Sequence, residues 1–170
     1  MQDPSAPSHQ RNVQENLLKP RGISISGILT INESKPLVQV MSCTDNQTWI
    51  FWFEENCNER ERSMYHAFCD TNRLEPPKII AISKKKPKQP MTEGAQHFSH
   101  AELEIDLISH EYIPPFEVIT AQQVPRGVKP MTLLHSDVVA QRMGWSPDTL
   151  LLVRYPHKSH GYEEQYYCVR

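Results

Sequence analysis

Three carboxylates, Glu102, Glu104 and Asp106, alternate with Leu103, Ile105 and Leu107 in residues 101–108. Read as a strand, that spacing sets the acids on one face, about 7 Å apart, and the apolar side chains on the other. A Mg2+-dependent nuclease holds its ion with such groups and places a lysine beside them to orient water. The run offers no lysine at the matching position, and a sheet with one solvated face has the same alternation. The densest charge is Lys84-Lys85-Lys86-Pro87-Lys88. A basic pentamer of this kind reads as a solvated loop, a nuclear-import signal or a contact for a phosphate backbone. No aromatic residue interleaves with it, which argues against a platform for stacked bases. His66-x-x-Cys69 and His157-x-x-His160 are the two spaced pairs of metal-ligand type. Neither supplies the closely paired four-ligand set of structural zinc, so core packing and a solvated loop are the better readings. The fingerprints of phosphate loops, dinucleotide folds, nucleophile elbows and zincins are all missing from the sequence. No catalytic residue, metal or cofactor is expected.

Composition narrows the class. The 170 residues carry 18 Lys+Arg against 20 Asp+Glu, a formal net charge of −2. Capture by nucleic acid or an anionic membrane through overall charge is thereby excluded, and any basic surface must be local. No apolar run approaches the roughly 18–20 residues of a membrane helix. The opening residues lack the charged and apolar regions of a secretory leader, so the expectation is an intracellular, soluble chain. Cys43, Cys57, Cys69 and Cys168 are widely spaced and read as reduced, mostly buried thiols. Proline is in excess, 14 against 6 Gly, where average usage would give roughly 8 and 12. Many short elements joined by stiff connections would produce that.

These groups need elements to hold them. Residues 1–22, rich in Pro, Ser, Gln and Asn, read as a mobile tail. Strands are expected at 23–31, 37–41 and 48–53, the last covered on both faces. Residues 57–72 shift to helical spacing, and 78–83 form another buried strand. Strand, helix and strand in that order imply a crossover and a partly parallel sheet. A lysine-rich loop follows, then a short helix over 92–100 with Thr92 as N-cap, then the acidic strand. A boundary near residue 110 separates a domain at 23–109 from a module at 110–170. In that module a short strand at 133–134 precedes a helix with an N-cap at Ser136-Asp137, apolar members Val138, Val139 and Met143, and a stop at Gly144, and a hairpin joins 150–153 to 166–169. About 60 residues bury only ~60% of their unfolded surface, so the module is marginal alone and would gain from a partner surface. The fold class is α+β or α/β: a mixed sheet with a crossover helix, then a small α+β module.

The ordered motifs resemble a known family. Residues 48–55 (TWIFWFEE), then PKIIAIS, MTEGAQHF, LEIDLISHEYIPPFEVIT, SDVVAQRMG, LLLVRY and the terminal YYCVR are similar to the shared fifth subunit of eukaryotic nuclear DNA-directed RNA polymerases. The final third is similar to the small archaeal polymerase subunit that corresponds to it. The family's HELVPEHVVMT aligns with residues 110–120, its DPVARYFG with 137–144, and its arginine–proline hairpin with 154–161. Phe116 replaces the family histidine, Val138 the helix-start proline, Glu93 the proline of a loop near downstream DNA, and Lys158 the acid of the hairpin loop.

The resemblance implies a non-catalytic jaw-like domain of nuclease-type fold followed by an assembly module. It implies docking on the largest polymerase subunit through Pro114, Leu133, Asp137, Val139, Ala140, Gly144, Arg154 and Gly161, with other polymerase subunits nearby. Lys84, Lys85, Lys86, Lys88, Met91 and Thr92 are then the DNA-proximal set, touching downstream duplex weakly. The departures imply a divergent paralogue, specific to one polymerase such as polymerase I, in the nucleus or nucleolus. No membrane and no small-molecule substrate are implied. The alternatives are a Mg2+-dependent nuclease using Glu102, Glu104 and Asp106, and a free-standing adaptor.

Overall fold

The computed structural model describes residues 6–32, 37–75, 78–87, 90–157, 159 and 161–170. The chain is α+β and divides into two compact units, Met1–Ile105 and Asp106–Arg170, each with its own mixed sheet. The division falls a few residues before position 110.

In the first unit the strands are β1 (Ile25–Asn32), β2 (Val38–Cys43), β3 (Trp49–Phe53), β4 (Ile79–Ser83) and β5 (Gln96–Ser99), lying in sequence order across the sheet. β1–β2 and β2–β3 are antiparallel; β3–β4 and β4–β5 are parallel. The switch in direction after β3 needs a crossover, and helix α2 (Glu59–Asn72) supplies it. Aromatic and β-branched residues fill β3 and β4 because both sheet faces are covered. Ile50, Trp52, Ile80 and Ile82 belong to one apolar cluster. Phe51, Phe53, Ile79 and Ala81 belong to another, closed by Tyr65 and Cys69 of α2. Asn58 caps α2, its side chain accepting from the backbone N–H of Arg60 and Glu61 while Glu61 accepts from Asn58 N–H.

The first cluster is closed by a segment expected to be mobile. α1 (Ser8–Val13), a π-helical stretch (Gln14–Leu18) and a 3-10 turn (Lys19–Arg21) run without a break, and Val13, Leu17 and Leu18 are fully buried. Each such side chain contributes about 1.5–3 kcal/mol on burial. The polar residues of the segment stitch it down. Gln14 accepts from Ile25 N–H at 2.9 Å, and Asn16 donates to the Leu103 carbonyl at 2.7 Å. The tail reading is therefore wrong for residues 8–21.

Two further expectations fail. Residues 92–95 form a turn and 96–99 the strand β5, so no helix runs over 92–100. Helix α3 (His100–Glu104) takes the place of the acidic strand. Ser99 accepts from Glu102 N–H while the Glu102 carboxylate accepts from Ser99 N–H at 2.6 Å. That capping box outweighs the alternation, because it satisfies the first orphan donors of a helix.

In the second unit β6 (Phe116–Ile119), β7 (Met131–Leu133), β8 (Leu150–His157) and β9 (Gly161–Val169) order as β6-β8-β9-β7, with α4 (Val138–Met143) between β7 and β8. β7–β9 is parallel and the other pairings antiparallel. Val139, Ala140, Trp145, Leu151 and Val169 form its core, with Leu133, Phe116 and Tyr167 packed against them.

Candidate functional site

The acidic trio does not share a face. In α3, Glu102 and Glu104 are two residues apart, and successive helical residues turn by about 100°, which directs them to different sides. Asp106 follows the helix and accepts from Ser109 N–H. Glu102 is also ion-paired with Lys86 at 2.7 Å. Burial alone would raise its pKa, but the Lys86 and Ser99 bonds outweigh that and hold the carboxyl below its ordinary value. Among the described residues no group of three or more His, Cys, Asp or Glu is placed to hold a metal ion. The strand face that Mg2+ chemistry would need is not formed.

The basic loop is partly neutralised from within. Lys84 pairs with Glu55 at 2.9 Å, and Lys86, besides Glu102, lies 5.7 Å from the Phe98 ring centroid. Lys85 is exposed. A phosphate backbone meeting this loop would compete with two carboxylates; such exposed pairs are worth about 0–1 kcal/mol each. Lys88 lies outside the described residues, as do Lys158, His160 and the side chain of His157.

The neighbouring turn is pinned from three sides. Met91 is 6% exposed and packs in the cluster under α2, so its side chain is a core residue and not a surface contact as expected. Met91 N–H donates to His97 Nε2 at 3.2 Å. The Tyr65 hydroxyl donates to Thr92 Oγ1 at 2.8 Å, and Ala95 N–H donates to the Thr92 carbonyl. Burial, with Lys86 and Arg62 nearby, lowers the His97 pKa against a smaller opposing effect of the Ala95 backbone. Nothing in the local pattern marks His97 as the anchor, because an alternating Gln-His-Phe-Ser stretch names no partner.

The eight assembly residues separate by burial. Val139 and Ala140 are 7% and 0% exposed; they hold the second unit together and present nothing outward, which corrects their assignment to an interface. Asp137 accepts from Val139 N–H at 2.8 Å as the N-cap of α4. Gly144 takes the left-handed conformation, φ 69°, at the other end. Leu133 is half-buried against the core and Pro114 is likewise half-buried. Arg154 is exposed and bridges Glu117 and Glu164 at 2.8 and 3.0 Å; Gly161 is exposed at the start of β9.

The residues that do present apolar surface are others: Val118 (61% exposed), Met131, Leu134 (61%), Val138 and Tyr162. Periodicity points Val138 inward as an apolar member of its helix. For a helix of six residues one or two side chains decide which side is core, and Ala140 takes that place.

All four cysteines are free thiols; Cys43, Cys69 and Cys168 are buried and Cys57 half-buried. Burial pushes the Cys43 thiol up to about 12 and Cys57 to about 11, which suppresses thiolate chemistry at neutral pH. His66 points to solvent while Cys69 packs in the core, so that pair does not chelate. Among the described residues no helix is long and apolar enough to cross a membrane. No known family model matches the chain, and no curated protein matches it.

Proposed function

We propose that this chain is a non-catalytic structural subunit of a nuclear DNA-directed RNA polymerase, specific to one polymerase such as polymerase I. In this reading the second unit docks on the largest subunit and the first contributes to the jaw over downstream DNA. The order of motifs from residue 48 to residue 170 suggests the family. The observation that carries the reading is the placement of exposed apolar side chains. Of the ten large hydrophobic residues exposed among those described, seven follow Ile105. A small unit that leaves Val118, Met131, Leu134, Val138 and Tyr162 in water is suited to bury them against a partner.

The test is recovery of partners. Tagged full-length chain, purified from the cells that express it, is expected to bring down the largest polymerase subunit. A Met131→Asp/Leu134→Asp variant should lose most of that recovery while its melting temperature stays within a few degrees, because both side chains are exposed. A chain that elutes alone, or a variant that recovers partners as well as the parent, overturns the proposal.

A further inference from the structure

The first unit carries a cavity of about 410 Å3 that the polymerase reading does not use. It opens where the turn between β2 and β3 meets the C-terminal end of α2, lined by Asn46, Gln47, Trp49, Arg73, Glu75 and Lys78 among others. Its volume is in the range of small-ligand sites. Trp49 is half-buried, its indole tilted against the Phe68 ring at 5.9 Å. Among the described residues, no side-chain hydrogen bond or ion pair engages Asn46, Gln47, Arg73 or Lys78.

Arg73 is the unusual member. It follows α2 with φ 52°, in the left-handed region. Its N–H bonds the Asp70 carbonyl while Leu74 N–H bonds that of Cys69, the paired arrangement that closes a helix with a left-handed residue. The same pair of bonds recurs at Gly22 and at Gly144. Two of the three closures use glycine, which has no Cβ to resist the conformation. The third uses arginine, at the rim of a cavity. A basic side chain near a helix C-terminus complements the dipole, yet a position one turn earlier would do so without strain. Strain retained beside a cavity points to a use for the side chain.

We propose that this cavity binds a nucleotide, its base against Trp49 and its phosphate on Arg73 and Lys78. Among the described lining residues two cations outnumber one carboxylate, Glu75. A guanidinium fork matches phosphate geometry, and an indole offers a face or edge for any base. The Asn46 and Gln47 amides supply donors and acceptors for base or sugar. A plain anion would leave the indole and both amides unused. The nucleotide unit comes either from a free mononucleotide or from a single strand, and the site stands whether or not the chain docks on a polymerase.

Adenosine 5′-monophosphate titrated into the full-length chain, followed by the Trp49 indole N–H and the Lys78 amide in NMR spectra, is expected to shift both signals saturably. Affinity for AMP should exceed that for adenosine or inorganic phosphate by about tenfold. Arg73→Gly should weaken AMP binding about tenfold while raising the melting temperature by about 2–4 °C, since it relieves the backbone. A merely structural Arg73 would move the second readout without the first. Tetrathymidylate binding more tightly than AMP assigns the strand as the source; weaker binding assigns the free nucleotide. Shifts that do not saturate in the millimolar range, phosphate binding as tightly as AMP, or Arg73→Gly binding AMP as the parent does, each overturn the proposal.

Discussion

At the scale of the residue, His97 shows how one ring nitrogen can hold a turn. Because Nε2 accepts the Met91 N–H, it must carry a lone pair, and protonation turns the acceptor into a donor facing a donor. Burial lowers the pKa of His97 from 6.5 in the folded chain. Burial does the same to His100 against a smaller opposing effect of its bond to the Phe53 carbonyl, with His9 adding to the lowering. Groups whose folded pKa lies below the unfolded value bind fewer protons when folded. Their stability contribution is complete above about pH 6.5 and declines as pH falls through that value toward the folded one. The charged groups around them act in both directions: Lys86 and Arg62 oppose protonation of His97, while Glu55 and Glu104 favour that of His100. Thermal melts at pH 7.5, 6.5 and 5.5 should therefore show the melting temperature of the first unit falling on the acid side. His97→Gln, whose amide oxygen can accept the same N–H without titrating, should flatten that fall. An unchanged profile in the variant would show that the turn does not depend on His97.

At the scale of the element, the N-terminal segment separates what a sequence discloses from what it hides. The interior strands were legible because Trp49–Phe53 and Ile79–Ser83 are so apolar that only two-sided burial accommodates them. Helix α2 was legible through its spacing, whereas its Asn58 cap emerges only in the structure. The segment Ser8–Arg21 was not: Gln14 and Asn16 look like the polar residues of a disordered tail, and they are the residues that bond Ile25 and Leu103. Their partners lie 11 and 87 positions away, and no local pattern encodes so distant a partner. The candidate site divides in the same way. Caps such as Asp137 and Gly144 are written locally, whereas the exposure of Leu134 and the burial of Met91 depend on which neighbours arrive. The helical segment also makes a quantitative demand. Leu17→Ala should cost about 2–4 kcal/mol in denaturant unfolding of the first unit, as for other fully buried leucines. Arg11→Ala, on the exposed side of α1, should stay within about 0.5 kcal/mol. Equal, negligible effects of the two would return the segment to the status of a tail.

At the scale of the whole molecule, the two units have separate cores, so the proposed docking through one need not engage the other. The second unit spans Asp106–Arg170 and is closed by Val139, Ala140, Trp145, Leu151 and Val169. At roughly 0.05–0.15 kcal/mol per residue a unit of this size has only a few kcal/mol of stability, so a single strained position takes a large share of it. Gly144 is that position. A β-branched residue at φ 69° meets steric conflict costing about 1–2 kcal/mol or more, whereas asparagine tolerates the left-handed region better. If the proposed docking holds, a fragment covering 106–170 should fold by circular dichroism and recover the proposed polymerase partner by itself, while a fragment covering 1–105 should not. In the 106–170 fragment, Gly144→Val should lower the melting temperature by about 8 °C or more and Gly144→Asn by less, with partner recovery falling in the same order. A partner that docks as proposed binds only the folded form, so its excess should restore part of the loss. Recovery by the first fragment instead of the second would move the docking surface to the other unit. Indistinguishable Val and Asn variants would remove Gly144 as the point on which folding and assembly meet.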